Sequence, residues 1–402
     1  MRYSVKKKHT ATIVILSLAL FTACRKLYNP PIIASSGGAK GYLVVEGVIN
    51  SRDSTVIRLS RTVPLSAKLA SIPELGASVS VISDGGSSYV LPEKGNGYYA
   101  APNLNLNAAG KYGLKIATSD GKAYQSDLVP VKDSPPMDSV YYQIKNNGLQ
   151  IYADTHDPTN QTRYYRWDFN ETYEYRSAFN SLEYVTNKPY YQVLTRDPAN
   201  QIYTCWRGGP SPDIILNSTA KLSTDIITRN PITFISSNSE KIGVRYSILV
   251  KQYALTVDAF NYYQLLQKNT EQLGTIFDAQ PSELPGNIHC STNPSEPVVG
   301  YVTAGAPAQT RIYIAAADLP AWIPSSPYSG CRLDTDLFRR PNGSNAPTNE
   351  VQLYIYRGIH LPVYAIDSIG SNSIIGYASS DPQCVDCTLR GTNVKPGFWT
   401  GF

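Results

Sequence analysis

Residues 41–50 read GYLVVEGVIN, and the alternation in this stretch decides the fold. Leu43, Val45, Gly47 and Ile49 fall on one side of an extended chain, with Val44, Glu46 and Val48 on the other. Successive strand side chains point to opposite faces, so a period of two marks a strand. The pattern recurs. STVIRLSRT (54–62) sets Val56, Arg58 and Ser60 against Ile57, Leu59 and Arg61, and ASVSVISDGG (77–86) alternates Val79 and Val81 with Ser78 and Ser80. Turn residues separate the runs at Asp84–Gly85–Gly86, Gly95–Asn96–Gly97 and Asp120–Gly121. Short alternating runs punctuated by Asp-Gly and Asn-Gly indicate antiparallel hairpins stacked as a sandwich. Composition agrees: 30 Tyr with 28 Gly and 28 Pro, against 2 Met, favours sheet and turn over helix.

The length suggests two domains. The first is expected at 40–132, an immunoglobulin-like or prealbumin-like β-sandwich; such likeness concerns fold and carries no function. Pro135 and Pro136 suit a joint. A larger β-rich domain is expected over 138–402. SVYYQIKNNGLQIYADTHD (139–157) reads as a hairpin, and TRYYRWDFNETYEYRS (162–177) as a long strand. In that strand Tyr165, Trp167 and Phe169 face one way, with Tyr164, Arg166 and Asp168 opposite. One segment has the helical period. In TVDAFNYYQLLQKNTEQLG (256–274), Phe260, Tyr263, Leu266, Thr270 and Leu273 share a face. Thr256 can cap this helix of about 256–273, and Gly274 can stop it. The fold class expected is therefore mainly β with one amphipathic helix packed on it.

The chain opens MRYSVKKKHTATIVILSLALFTAC (1–24). Arg2, Lys6, Lys7 and Lys8 precede an apolar run too short for a spanning helix, which needs ~20 residues. This is the pattern of an export signal over 1–23. The small Thr22 and Ala23 before Cys24 resemble a bacterial lipobox, in which the thiol is acylated with palmitate-type chains and becomes the mature N-terminus. Several chains anchor firmly where one does not. Residues 24–39, rich in Pro and Gly, then read as a tether. The leader also accounts for the charge. The whole chain has 36 Lys+Arg against 31 Asp+Glu; without the four basic residues before Cys24 the balance is 32 against 31. Nothing basic remains to recommend a nucleic-acid partner.

Several motifs carry a family resemblance. RYSILVKQYAL (245–255), YYQLLQKNTEQLGTIFDAQPSELPGNI (262–288), PVVGYV (297–302) and CVDCTLRGTNVKPGFW (384–399), with YLVVEGVI (42–49) and VIRLSRT (56–62), resemble the Bacteroidota lipoprotein family called domain of unknown function 4249. The resemblance implies an outer-membrane lipoprotein of two β-rich domains, often encoded beside TonB-dependent receptors. It supplies no catalytic residues. Surface-displayed lipoproteins of that phylum carry acidic residues after the anchor, whereas Arg25 and Lys26 follow here, so surface-exposed and periplasm-facing orientations both stay open.

Residue chemistry narrows the roles further. After the leader only His156, His289 and His360 remain, far apart in sequence, and neither a G-x-S-x-G elbow nor H-E-x-x-H occurs. Acids that carboxylate-pair chemistry can use include Asp154, Asp157, Asp168, Glu171 and Glu174. Asp334 and Asp336 lack the spacing of a calcium loop. No catalytic residue, cofactor or metal ligand is assigned. Tyr164, Tyr165, Trp167 and Trp206 are expected as an aromatic binding surface, with cross-strand core pairing as the alternative. Tyr141–Tyr142, Tyr190–Tyr191 and Tyr262–Tyr263 are further tyrosine pairs. Cys205, Cys290, Cys331, Cys384 and Cys387 leave an odd thiol after at most two bridges. An oxidising envelope favours disulfides, with unpaired thiols and a metal or redox role of Cys384-x-x-Cys387 as alternatives. One of this pair is expected to tie the C-terminal tail to the second domain, through Cys290. The function expected is a non-catalytic binding or accessory lipoprotein of the outer membrane, working beside a TonB-dependent receptor. An envelope enzyme on glycans or peptides, or an adhesive module, are the alternatives.

Overall fold

In a computed structural model of the 402-residue chain, the structure describes residues 41–64, 67, 71–187, 189, 191–271, 284–342, 345–370 and 373–399. The leader, Cys24 and the tether lie outside these residues, as do Leu273, Gly274 and the FDAQP stretch at 277–281.

The opening stretch forms the strand Leu43–Ile49, antiparallel to Thr55–Arg61, with Val45 opposite Leu59 and Gly47 opposite Ile57. Gly47 is required there. Its φ is +137°, and a Cβ would sit 2.4 Å from the Val56 carbonyl oxygen. Tyr98–Ala101 extends this sheet beside Thr55–Arg61. A second sheet runs Ala123–Ser126, Lys111–Ala117, Ser78–Ser83, Ser88–Val90. The inward positions of both sheets, among them Leu43, Val45, Ile57, Leu59, Val79, Val81, Leu114 and Ile116, meet in one core. The first domain is thus a β-sandwich, but 40–132 does not bound it. Ile288–Cys290 pairs with Ala123–Ser126, and Val298–Val299 and Thr303–Ala304 pair in parallel with Leu43–Ile49. Ile288, Cys290, Val298, Val302 and Ala304 are core residues of the same sandwich. A late segment therefore closes an early domain.

The joint at 132–136 is also stitched in. The Ser134 hydroxyl donates to the Gln252 carbonyl, Ala254 N–H donates to Ser134 Oγ, and Gln252 Nε2 donates to the Pro135 carbonyl. Residues 42–402 accordingly form one unit.

The larger region centres on the 13-residue strand Tyr164–Arg176. Arg245–Ala254 pairs along one edge and Ala308–Ala315 lies beyond it. Thr204–Pro210 and Ile215–Ser218 share the other edge. A three-stranded sheet, Met137–Lys145, Gly148–His156 and Ile226–Ser236, supplies the facing layer. Val140, Leu149, Ile151, Tyr165, Trp167, Phe169, Tyr246, Ile248 and Val250 fill the space between. Trp167 Nε1 donates to Gln252 Oε1 at 3.1 Å, so this buried polar pair is satisfied.

The helix spans Val257–Glu271. Thr256 caps it, its hydroxyl accepting from Ala259 N–H at 3.2 Å. The residues it buries are Ala259 and Tyr262, one position off the stripe read from the sequence. That stripe is half-buried at Phe260, Tyr263 and Leu266 and exposed at Thr270. Among the described residues, no helix is long and apolar enough to cross a membrane.

Candidate functional site

The aromatic surface expected at Tyr164, Tyr165, Trp167 and Trp206 does not exist. Tyr165 and Trp167 are fully buried and Trp206 is 8% exposed. Tyr164 packs on Phe260 of the helix, ring centroids 5.0 Å apart. The facing sheet decides this. It covers the Tyr165–Trp167–Phe169 side of the long strand, and the burial of Tyr165 forces its hydroxyl onto Asp225 at 2.5 Å. Burial first, then Asp225, pushes this phenol's pKa up.

The other side of that strand is different. Arg166 and Asp168 project from it opposite Tyr253 and Lys251 of the neighbouring strand. They look into a cleft of about 620 Å³. Val44, Glu46 and Val48 of the first sandwich form one wall, Tyr262, Tyr263 and Leu266 of the helix another, and Tyr301 a third. A cleft of this size suits a small molecule. The Arg166 guanidinium lies 4.3 Å from the Tyr253 ring centroid and 4.7 Å from that of Tyr263, clamped between two π faces. Its Nη2 is 3.4 Å from Asp168 Oδ2. Its buried Nε has no hydrogen-bond partner among the described residues. Burial opposes the charge on Arg166, but Tyr263, Asp168 and Tyr253 more than offset it and hold its pKa above the ordinary value. Burial, then the Asp168 charge, pushes the Tyr253 phenol up, so it stays a neutral donor. The signal for this site was present in the sequence as the polar face of the long strand and the Tyr262–Tyr263 pair. The amphipathic helix that reads as core packing is also a cleft wall.

Apart from Asp168, which lines the cleft, the candidate acids are occupied elsewhere. Asp157 accepts from Thr159 Oγ1 and from the amides of Thr159, Gln161 and Thr162; burial opposes its charge, yet these donors take its pKa down to about 2. Asp154 accepts from Arg229 N–H, Glu171 from Lys241 and Tyr246, and Glu174 from Trp399 Nε1. Ser379, His360 and Asp336 do converge. However, Ser379 Oγ donates to Asp336 Oδ2 at 2.6 Å, and His360 Nδ1 meets the same oxygen at 2.9 Å. A triad needs the nucleophile on one ring nitrogen and the acid on the other. Here both lie at Nδ1, Nε2 faces Asp334 at 3.9 Å, and Ser379 is fully buried. This set ties strands together. Among the described residues, no three of His, Cys, Asp and Glu are grouped to hold a metal ion.

The cysteines pair as Cys205–Cys387 and Cys331–Cys384, and Cys290 is buried and free in the first sandwich. The tail is therefore held through Cys205, not Cys290, which belongs to a different core. The two cysteines of the C-x-x-C go to different partners, so the motif holds no dithiol of its own. Arg390 adds a two-point pair to Glu240 at 2.8 and 2.6 Å, and Trp399 is buried against Trp206 and Tyr313.

Fold and cleft together define a β-sandwich protein with a charged, tyrosine-lined cleft beside its helix. The family described as "Domain of unknown function (DUF4249)" matches residues 25–311, and the chain belongs to it. No curated protein matches the chain. Among solved structures, a two fibronectin type-III domain segment of chicken tenascin is similar at 11% identity, covering 54% of this chain and 91% of that one, with a TM-score of 0.15. Chitinase ChiA74 from Bacillus thuringiensis is similar at 13% identity, covering 50% of this chain and 28% of that one, with a TM-score of 0.15.

Proposed function

We propose that this chain is an outer-membrane lipoprotein, anchored through lipid on Cys24, that captures a ligand as the non-catalytic accessory of a TonB-dependent receptor. The observation that carries the binding role is the cleft. Its cation is clamped in place by Tyr253 and Tyr263 but is short of partners, which suits recognition. Anchoring is supported by the basic leader, the short apolar run and the Thr22–Ala23–Cys24 sequence. The receptor enters from the family resemblance. A non-catalytic role is supported by the Ser379–His360–Asp336 geometry and by the engagement of the acids in turns and ion pairs.

The test is fractionation with cross-linking in cells. The wild-type chain is expected in the outer membrane, cross-linked to a TonB-dependent receptor, and Cys24→Ala is expected in the soluble fraction. Retention of Cys24→Ala in the membrane would sink the anchor. A wild-type chain that cross-links to no receptor would sink the partner.

A further inference from the structure

We propose that the cleft takes its ligand by a single carboxylate, seated on Arg166 and Lys251, with the ligand's apolar body against Val44, Val48 and Leu266. This rests on the binding role given above and names the chemistry of what is bound.

The charge inventory selects a monoanion. Glu46 is committed to Arg58 at 3.0 Å. Of the remaining charged groups lining the cleft, Arg166 and Lys251 are positive and Asp168 is negative. Lys251 forms no ion pair among the described residues, although Asp168 stands directly opposite it in the strand register. One positive charge is left over, and one carboxylate neutralises it. A dianionic phosphate overshoots and meets the Asp168 carboxylate beside Arg166.

Geometry selects a planar acceptor. Two rings hold the guanidinium carbon at 4.3 and 4.7 Å from their centroids, so part of the ordering cost of the long side chain is met before the ligand arrives. A fixed, planar fork matches the two oxygens of a carboxylate. The same contacts argue against stacked sugar recognition. One face each of Tyr253 and Tyr263 is occupied by Arg166, and Tyr262 packs edge-on to Tyr263 and against Tyr301, centroids 5.4 and 5.1 Å apart. The aromatic faces hold the cation, and the aliphatic wall is left for the ligand.

The experiment is isothermal titration calorimetry on the full mature chain in a non-ionic detergent. The probes are octanoate, 4-phenylbutyrate and N-acetyl-leucine, the primary amide of each, and inorganic phosphate. At least one carboxylate is expected to saturate the protein below about 10 mM, the concentration scale of a few kcal/mol of binding. Its amide is expected to bind roughly 10-fold more weakly or worse, the value of one charge-assisted contact. Arg166→Gln is expected to remove the carboxylate preference, and Lys251→Gln, at a half-buried position, to weaken it. Lys251→Gln decides the matter if Arg166→Gln does not fold. Equal affinity for acid and amide, displacement of the acid by phosphate, unchanged binding by the variants, or no saturation by any of the three acids overturns the proposal. Those outcomes leave the membrane anchor and the receptor cross-link as they stand, so the two readings fail separately.

Discussion

The sandwich interior and the cleft each hold an arginine, and the molecule treats them in opposite ways. Arg61 is 1% exposed. Its Nε is 2.6 Å from Glu74, Nη1 donates to the Tyr124 hydroxyl at 3.3 Å, and Asp120 and Glu296 lie 3.8 Å away. Glu296 in turn accepts from Lys122 at 2.6 Å and Tyr124 at 2.7 Å. This acid-rich network binds the late segment carrying Glu296 to the early strands. Arg166 keeps 18% of its side chain exposed and has one carboxylate at a longer distance, with two rings doing the rest of the holding. A charge enclosed by acids serves the fold; a charge enclosed by rings and short of acids is available to something else.

The contrast breaks most readily at Arg61. Arg61→Met leaves Glu74 buried without its cation, and such a loss costs about 3–5 kcal/mol. The urea midpoint should fall accordingly, with exposure of the sandwich core. A loss under ~1 kcal/mol would mean that apolar packing alone holds the late strands in place.

A smaller effect is expected from pH at Glu296. Burial alone would raise its pKa, but Lys122, Tyr124 and Arg61 outweigh that and hold it below its ordinary value. A depressed carboxylate contributes stability that is present above its unfolded pKa of about 4.5 and is lost as pH falls through the lower folded value. The melting temperature should therefore fall on acidification below about pH 4.5. Glu296→Gln should be less stable at neutral pH and show a shallower acid limb. Parallel limbs in variant and wild type would place the acid sensitivity elsewhere.

What was legible in the sequence follows from length and period. Strands such as Leu43–Ile49 and Tyr164–Arg176 are long enough for alternation to register, and Thr256 marked the helix start through its capping chemistry. The closing strands of the sandwich were not legible. Val298–Val299 and Thr303–Ala304 are two residues each and have no period, and their pairing with residues 255 positions earlier is a tertiary fact. Alternation also says which residues share a face without saying which face is covered. Trp167 and Arg166 were therefore separable, but their roles became distinct only with the sheet that packs on Trp167. The helical stripe had the same ambiguity, since a core and a cleft wall demand the same spacing. Disulfide partners carry no sequence rule, so Cys205 and Cys331 emerged only from the fold.

The smallest change sharpens the comparison most. Arg166→Gln removes two ring contacts, worth about 0.5–2 kcal/mol together, and one long ion pair. Asp168 is 28% exposed and can be hydrated when its neighbour is lost, so no charge is stranded. The expected cost in urea is about 1–2 kcal/mol, below that of Arg61→Met in the same assay. A cost equal to that of Arg61→Met would make Arg166 a second structural arginine. The cleft would then be a seam between the sandwich and the main sheet, closed by its own residues. A small cost means that a clamped cation persists at this position without stabilising the fold by much, and the ligand site is what it serves.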